Sequence, residues 1–250
     1  MEPIITQLSL KKSHFICALL VVLFLLVPLS VYASLQKGPQ SFRPETTSGM
    51  QAFFQALEYS WTEIDNGVPR FILESFPKDI GKTASIKTKK KAFFMGLLPM
   101  VLLANKEIEA ERQQFLEILD RNKSRTLKSD DLDRVEKLLK RYGLRGHPLT
   151  DHRIRAQLLA RVDTIPPSLA MAQAANESAW GTSRFAQLGN NLFGEWTYTP
   201  GTGLIPAGRP PGETYEVRKF RSLYASIRSY MNNLNRNSAY RLLRNIRHEL

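Results

Sequence analysis

The second half of the chain contains few carboxylates, and one of them, Glu177, lies in a setting that could support acid catalysis. The preceding residues, 170–176, are mostly alanine, which predicts a helix packed closely against other backbone. A carboxylate near the end of such a helix, beside Trp180, would be partly removed from water. Desolvation disfavours the charged form of a carboxylate, which suits a general acid. The alternative is an exposed glutamate in the last helical turn with no chemical role.

Cysteine and metal chemistry receive little support from the sequence. The single cysteine, Cys17, lies in an apolar N-terminal run, so a processed chain would have no thiol. This excludes disulfides, thiolate catalysis and zinc–thiolate sites. A segment from Asp120 to Asp131 resembles a calcium-binding loop, but Arg125 replaces the glycine of its sixth position and Lys128 replaces a ligand. A capped turn between two helices explains the same residues, and we expect neither a metal nor a cofactor.

The N-terminal segment predicts export. Lys11 and Lys12 precede an uninterrupted apolar run over residues 15–27, and Ala33 stands at a suitable cleavage position. This order of positive, apolar and small residues is typical of a secretory signal peptide. If it is not removed, the segment 13–33 is long enough to anchor the protein in the inner membrane. We therefore expect an exported, periplasmic protein whose residues 1–33 are a signal peptide or an anchor.

The net charge of the chain narrows the class of partner. Lys and Arg number 35 against 23 Asp and Glu, which gives +12 and favours polyanionic partners. Nucleic acid is disfavoured because no recognition motif accompanies the charge, whereas an exported protein meets the acidic polymers of the bacterial envelope. The lysines within 87–91 are either a solvated helix face or a contact with anionic wall polymer or lipid headgroups.

Most of the chain that positions the candidate residues has sequence patterns typical of helices. We interpret residues 34–49 as a linker and residues 50–149 as a helical N-terminal region. Within it, an i, i+4 apolar stripe over 87–119 predicts one long helix, kinked at Pro99. A second helix is predicted with Ser129 as its N-cap. The elements predicted for the C-terminal region are helices over 155–161, 168–180 and 222–250 and a loop or hairpin over 201–212.

The stretch 165–196 resembles the glucosaminidase domain of family-73 glycoside hydrolases, and most closely the Bax-type proteins of Gram-negative bacteria. The family pattern is a glutamine in an alanine-rich helix, then Glu-Ser, then Trp-Gly, then Asn-Asn-x-Phe-Gly. The matching residues are Gln173, Glu177-Ser178, Trp180-Gly181, Asn190-Asn191 and Phe193-Gly194. Further matches occur at Phe220, Ser222, Ile227, Tyr230 and 237–240. The Bax-type resemblance also reaches back through 87–119.

This resemblance implies a mostly helical, lysozyme-like α+β fold with a small β-hairpin lobe across a sugar-binding groove, in a catalytic domain at residues 150–250. It implies that Glu177 is the catalytic acid, which protonates the leaving oxygen of the N-acetylglucosaminyl-β-1,4-N-acetylmuramoyl bond in peptidoglycan glycan strands. The residues expected to contact the sugar are Trp180, Asn191, Trp196, Tyr198, Tyr215 and Tyr240. Trp196 and Tyr198 are favoured because they lie next to the glycine- and proline-rich loop.

A second carboxylate is predicted because most glycosidases use two. We assign Glu213 as the base that activates water, with Tyr215 beside it on one face of a strand. Glu216 then points to the other face and is interpreted as the ion-pair partner of an arginine, while Glu195 is discounted. A substrate-assisted route through the acetamido group of the sugar would need none of these glutamates.

Two other functions remain open. A lytic transglycosylase also uses one glutamate followed by serine, but those enzymes carry Gly-Leu-Met-Gln soon after it. Here the corresponding residues 189–194 are Gly-Asn-Asn-Leu-Phe-Gly, which favours hydrolysis. The other is an inactive wall-binding protein, since the resemblance predicts another tyrosine-containing helix beyond the position of Leu250. Asn176 stands where the family commonly has leucine and is expected to alter the packing behind Glu177.

Overall fold

The computed structural model describes residues 38–83 and 85–249. The predicted signal peptide or anchor, with Cys17, and residues 34–37 of the predicted linker lie outside the described residues. Within the described ranges, no helix is both long enough and apolar enough to cross a bilayer. From Ser41 onward the chain forms one compact unit.

The described residues contain eight α-helices and two small sheets, so the prediction of a mostly helical protein with a small β lobe is confirmed. The helices are α1 (Thr47–Ala56), α2 (Ile86–Lys123), α3 (Asp131–Tyr142), α4 (His152–Arg161), α5 (Pro167–Glu177), α6 (Arg184–Gly189), α7 (Leu223–Arg236) and α8 (Arg241–Glu249). The strands are β1 (Gln40–Phe42), β2 (Phe71–Leu73), β3 (Trp196–Thr197), β4 (Gly203–Leu204) and β5 (Glu216–Arg218).

The long helix α2 organises the fold. It begins after Ser85, whose side chain accepts a hydrogen bond from the Thr88 amide, and it runs for 38 residues. Pro99 lies within it, so the carbonyl of Met95 lacks its usual helical donor, yet the helix continues to Lys123. The prediction of one long helix is thus confirmed. Its buried residues contact α5 and α7, which carry the residues of the candidate site.

The turn between α2 and α3 is held by an ion pair. Arg121 binds Asp131 through two hydrogen bonds of 2.9 Å and 2.8 Å, and the Lys128 amide donates to the same carboxylate. These contacts lower the pKa of Asp131 to about 2, with the hydrogen bond from Arg121 as the largest cause. Asp131, at the twelfth position of the calcium-like segment, is therefore bound by the guanidinium of Arg121. The N-cap of α3 is Asp130, one residue later than the predicted Ser129.

The region before α2 is less helical than predicted. Residues 57–85 contain two short 3-10 turns, at Trp61–Asn66 and Ile80–Lys82, and strand β2, which pairs with β1. Pro69 and Pro77 interrupt any longer helix here, because proline lacks the amide that a helix interior needs. The prediction of a helical region throughout 50–149 was wrong for this segment.

One hydrophobic core crosses the predicted boundary between residues 149 and 150. Buried side chains of α2, α5 and α7 belong to the same cluster. Polar contacts also cross the boundary: Asn105 donates to the Ile165 carbonyl at 2.7 Å and accepts from the Ile165 amide at 2.9 Å, and both bonds are buried. Arg228 donates to the Ala104 carbonyl and forms an ion pair with Glu111. The helices of the N-terminal region therefore support the C-terminal region directly.

The β lobe is a three-stranded antiparallel sheet with β5 between β3 and β4. In its register Trp196 lies opposite Val217, and Thr197 lies opposite Glu216. The buried Glu216 carboxylate accepts hydrogen bonds from the amides of Gly201 and Gly203, at 3.0 Å and 2.7 Å. In place of the predicted loop or hairpin, the chain forms a small sheet, and the Glu216 carboxylate binds the backbone of the loop that leads into β4.

Candidate active site

Glu177 is the last residue of α5. Pro167 occupies the first turn of this helix, where a missing amide costs nothing, and the buried Ala170 and Ala174 face α2. Because these side chains are small, the two helices can approach closely. The predicted helix over 168–180 is correct up to Glu177, but the chain leaves the helix three residues earlier than expected.

A strained turn comes directly after Glu177. Ala179, Trp180 and Gly181 all have left-handed backbones, with φ of +50°, +61° and +77°. For the two residues that carry a Cβ, this conformation costs roughly 1–2 kcal/mol each. Three consecutive residues of this kind form a sharp elbow, which we call the Glu177 elbow (residues 178–181). It turns the chain away from α5 toward α6.

Ser178 holds this elbow from inside. Its side chain is fully buried, donates to the Ala174 carbonyl at 2.6 Å and accepts from the Gly181 amide at 2.8 Å. Gln187 donates to the Gly181 carbonyl at 2.7 Å. A Cβ at Gly181 would stand 2.8 Å from a ring carbon of Phe76, so only glycine fits there. The Ser and Gly of the family pattern are therefore structural residues that keep the end of α5 in place.

The Glu177 side chain itself is exposed, so the expected partial removal from water was wrong. The buried face of α5 carries the alanines, while Glu177 and the adjacent Asn176 lie on the solvent side; the Asn176 amide is 3.5 Å from the Glu177 carboxylate. Trp180 does not cover the carboxylate either. Its ring packs edge-on against Phe93 and Phe94 of α2, at 5.7 Å and 5.2 Å, because the left-handed elbow turns it toward that helix.

Tyr230 lies near Glu177, and Tyr240 lies near Tyr230. Burial raises the pKa of Tyr230 to about 12, and the neighbouring Tyr240 and the negative charge of Glu177 add to the effect. Tyr230, on α7, stacks on Phe193 with ring centroids 3.9 Å apart and planes 4° apart. Tyr240 lies in the short turn Ser238–Tyr240 that precedes α8. The charge of Glu177 is therefore felt by Tyr230, which packs against Phe193 from a distant segment of the chain.

The predicted sugar contacts fall into two groups. Trp196 is 48% exposed, Tyr198 is 76% exposed, and Tyr215 packs on Trp196 with ring centroids 4.3 Å apart. Trp196 and Tyr215 thus form a packed pair on the β lobe, and Tyr198 follows two residues after Trp196 with its ring exposed. Their role in sugar binding stays a prediction. Asn191, by contrast, is 1% exposed. Its amide donates to the carbonyls of Glu195 and Arg218 and accepts from nearby backbone amides, so its contacts place it in the framework of the lobe.

The three glutamates of the lobe have different surroundings. Glu213 is exposed and lies in a turn before β5 rather than on a strand, so the predicted strand face shared with Tyr215 does not form. Glu216 is 6% exposed, and the hydrogen bonds from Gly201 and Gly203 lower the pKa of its carboxyl. Those two amides stand where an arginine partner was predicted. Glu195 accepts from Arg218 at 2.6 Å and from Ser229 at 2.8 Å.

The sequence did not indicate that Tyr230 and Phe193 would stack beside Glu177. Both positions match the family pattern, but their pairing joins segments 37 residues apart by number and depends on how α7 packs. Lys90 was considered only as a member of the lysine run within 87–91, and its contact with Trp180 was not predicted. Its ammonium lies 4.6 Å from the centroid of the Trp180 ring, which brings the lysine run of α2 next to the Glu177 elbow.

Comparisons with known proteins find one family and one relative that this chain resembles. Residues 154–249 match the glucosaminidase family, described as mannosyl-glycoprotein endo-beta-N-acetylglucosaminidase. The chain is similar to protein bax of Escherichia coli (strain K12), with 32% identity over 175 residues, which is 69% of this chain. The matched part spans 60% of the length of that relative. No solved structure matches the chain significantly. Residues 154–249 are therefore glucosaminidase-like, within a Bax-type similarity that extends over 69% of the chain.

Proposed function

We propose that this protein is a peptidoglycan hydrolase, an endo-β-N-acetylglucosaminidase that cleaves the N-acetylglucosaminyl-β-1,4-N-acetylmuramoyl bond with Glu177 as its general acid. The observation that carries the proposal is the Glu177 elbow. Strained backbone persists only where the surrounding structure holds it, and such sites gather at functional residues. Here Ser178 and Gly181 hold the strain, and the residue that they fix is an exposed carboxylate. Export through residues 1–33 would bring the protein to its substrate in the periplasm.

In the proposed reaction, Glu177 gives its proton to the leaving oxygen while the bond from that oxygen to the anomeric carbon breaks. Positive charge grows on the anomeric carbon, and water adds to it. In the route with a second carboxylate, the proton that water loses passes to that base, and Glu177 regains its own proton from the solvent. Trp196, Tyr198 and Tyr215 supply flat apolar faces along which pyranose rings can lie. Tyr240, in the turn before α8, is proposed to contact the sugar as well.

Two routes compete for the attack on the anomeric carbon. Glu216 and Glu195 are already engaged with backbone amides and with Arg218, so Glu213 is the lobe glutamate proposed as the base that activates water. In the other route the acetamido group of the substrate attacks the anomeric carbon and no second carboxylate is needed. Glu213→Ala should lower turnover at least ~100-fold if Glu213 is the base. Unchanged turnover would support the acetamido route instead.

The central experiment is Glu177→Gln, with mass analysis of the fragments released from purified peptidoglycan. The wild type should release fragments that end in reducing N-acetylglucosamine, and the variant should lose at least ~100-fold in rate while keeping its unfolding temperature. Glu136→Gln, an exposed glutamate on α3, is the matched control and should retain full activity. Anhydromuramic ends as the main product would assign the protein to the lytic transglycosylases. A wild type that binds the wall without cutting it would make it a binding protein.

A further inference from the structure

The first turns of α2 carry a positive charge that the described protein does not neutralise. Four lysines occur here: Lys87, Lys89, Lys90 and Lys91. The first turn of the helix has no acidic residue, and among the described residues no carboxylate lies within 4.0 Å of any of these ammonium groups. The N-terminus of a helix is already its positive end, so cations there repel both the helix dipole and one another. An anionic ligand would relieve both repulsions.

The lysines share a helix face with aromatic side chains. The spacing of Lys87, Lys90, Lys91 and Phe94 places them on one side of α2. Phe94 contacts Trp180 of the elbow at 5.2 Å, and Trp61, which is 38% exposed, stacks on Phe94 at 5.9 Å. We call Lys87, Lys90, Lys91, Trp61 and Trp180 the lysine–aromatic surface. This surface combines ammonium groups, which can bind carboxylates, with the flat apolar faces of two tryptophan rings.

A cavity of about 470 Å³ adjoins this surface, between α1 and α2. Lys87, Lys91 and Tyr59 are among the residues that line it. Tyr59 is 5% exposed, and within residues 38–83 and 85–249 its hydroxyl has no hydrogen-bond partner. A buried tyrosine hydroxyl normally has one. The hydroxyl is itself buried from solvent, so the features that the cavity offers to a ligand are the ammonium groups of Lys87 and Lys91.

We propose that the lysine–aromatic surface binds the acidic peptides carried by the glycan strand, next to the bond that is cut. The proposal rests on the proposed function, because it takes the substrate to be peptide-bearing glycan. Trp180 comes three residues after Glu177, a separation of at most ~11 Å along the chain. Lys90 lies over that same ring. A strand whose sugars sit at Glu177 therefore presents its side peptides within reach of the lysines, which favours the substrate over a membrane surface as the occupant.

The test compares two substrates: glycan strands that bear their peptides and strands stripped of peptide by an amidase. The triple variant Lys87→Gln, Lys90→Gln, Lys91→Gln should raise KM about tenfold for peptide-bearing strands, which equals about 1.4 kcal/mol. Its kcat should be unchanged, and its KM for stripped strands should equal that of the wild type. A triple variant with the same loss of charge elsewhere, Lys106→Gln, Lys137→Gln, Lys140→Gln, should leave both KM values unchanged.

Binding measured separately from cleavage distinguishes this inference from the proposed function. If the wild type cuts neither substrate but binds peptide-bearing strands through the three lysines, the proposed function fails and the binding surface stands. Equal KM values for wild type and the first triple variant on peptide-bearing strands would overturn the inference while leaving the hydrolase. Vesicles with and without phosphatidylglycerol test the other source of anions. Loss of vesicle binding in that variant, with unchanged KM on glycan, would assign the surface to lipid headgroups and overturn the proposal.

Discussion

At the scale of single residues, the candidate site owes its form to the residues just after Glu177 in the chain. The carboxylate is exposed, whereas Ser178 is fully buried and Gly181 has no room for a Cβ. A glutamate and a serine adjacent in sequence therefore have different roles: one faces the solvent and the other bonds the backbone on both sides. This division explains why the pattern Glu-Ser-x-Trp-Gly carries more information than the glutamate alone.

Gly181→Ala tests the elbow. The substitution places a methyl group 2.8 Å from Phe76 on a backbone with φ of +77°, so the free energy of unfolding should fall by about 2 kcal/mol or more. Hydrolysis should fall with it, because the end of α5 loses its support. Gly208→Ala is the control, since a Cβ at Gly208 meets nothing within 4 Å. Denaturant unfolding and turnover should be measured for both. Equal stabilities of the two variants would show that the elbow is not strained.

The surroundings of the predicted site residues could be foreseen only in part. The family pattern pointed to Glu177, and the position next to the glycine- and proline-rich loop pointed to Trp196 and Tyr198. Trp196 packs against Tyr215, while the catalytic and sugar-binding roles stay predictions. The orientation of Trp180 could not be predicted, because it depends on a left-handed backbone that helical periodicity does not indicate. The exposure of Glu177 depends in turn on which face of α5 meets α2. Both are properties of the tertiary structure.

At the scale of elements, the β lobe depends on one carboxylate. Its strands are two or three residues long, too short to be stable by pairing alone. Glu216 joins the loop before β4 to β5 through the amides of Gly201 and Gly203. The sequence predicted a hairpin from its glycines and prolines but assigned Glu216 to an ion pair, because a carboxylate bound by backbone amides leaves no pattern in sequence. The long helix α2, with its repeating local spacing, was predicted well for the opposite reason.

The lobe should therefore respond to pH. Because the native contacts lower the pKa of Glu216, its carboxylate stabilises the lobe at every pH above the usual glutamate value of about 4.3. That stabilisation is lost as pH falls below this value and through the lowered pKa. The amide proton shifts of Gly201 and Gly203, measured by NMR, should titrate in that acidic range. Glu216→Gln should abolish the titration, while Glu213→Gln, at an exposed position, should keep it. Titration at or above the usual value would contradict this role of Glu216.

At the scale of the whole molecule, the N-terminal region packs against the part of the chain that matches the family. The family match begins at residue 154, but the core that supports α5 and α7 includes α2, which ends at Lys123. The buried Asn105–Ile165 pair and the Arg228 contacts fix the same arrangement. The residue patterns in the sequence suggested two regions with a boundary between residues 149 and 150. The residue pattern does change near that boundary, but one core continues across it.

Leu97→Ala shows whether this core unfolds as one unit. Leu97, on α2, is fully buried, and its truncation should lower the free energy of unfolding by about 2–5 kcal/mol. If the core is continuous, native-state hydrogen exchange should speed up in α7 as much as in α2, since both then open together. Leu132→Ala, at a leucine of α3 that is 60% exposed, should change exchange little in either helix. Faster exchange confined to α2 would mean that the family domain is stable without it. Equal acceleration would make the N-terminal region part of the scaffold that holds Glu177.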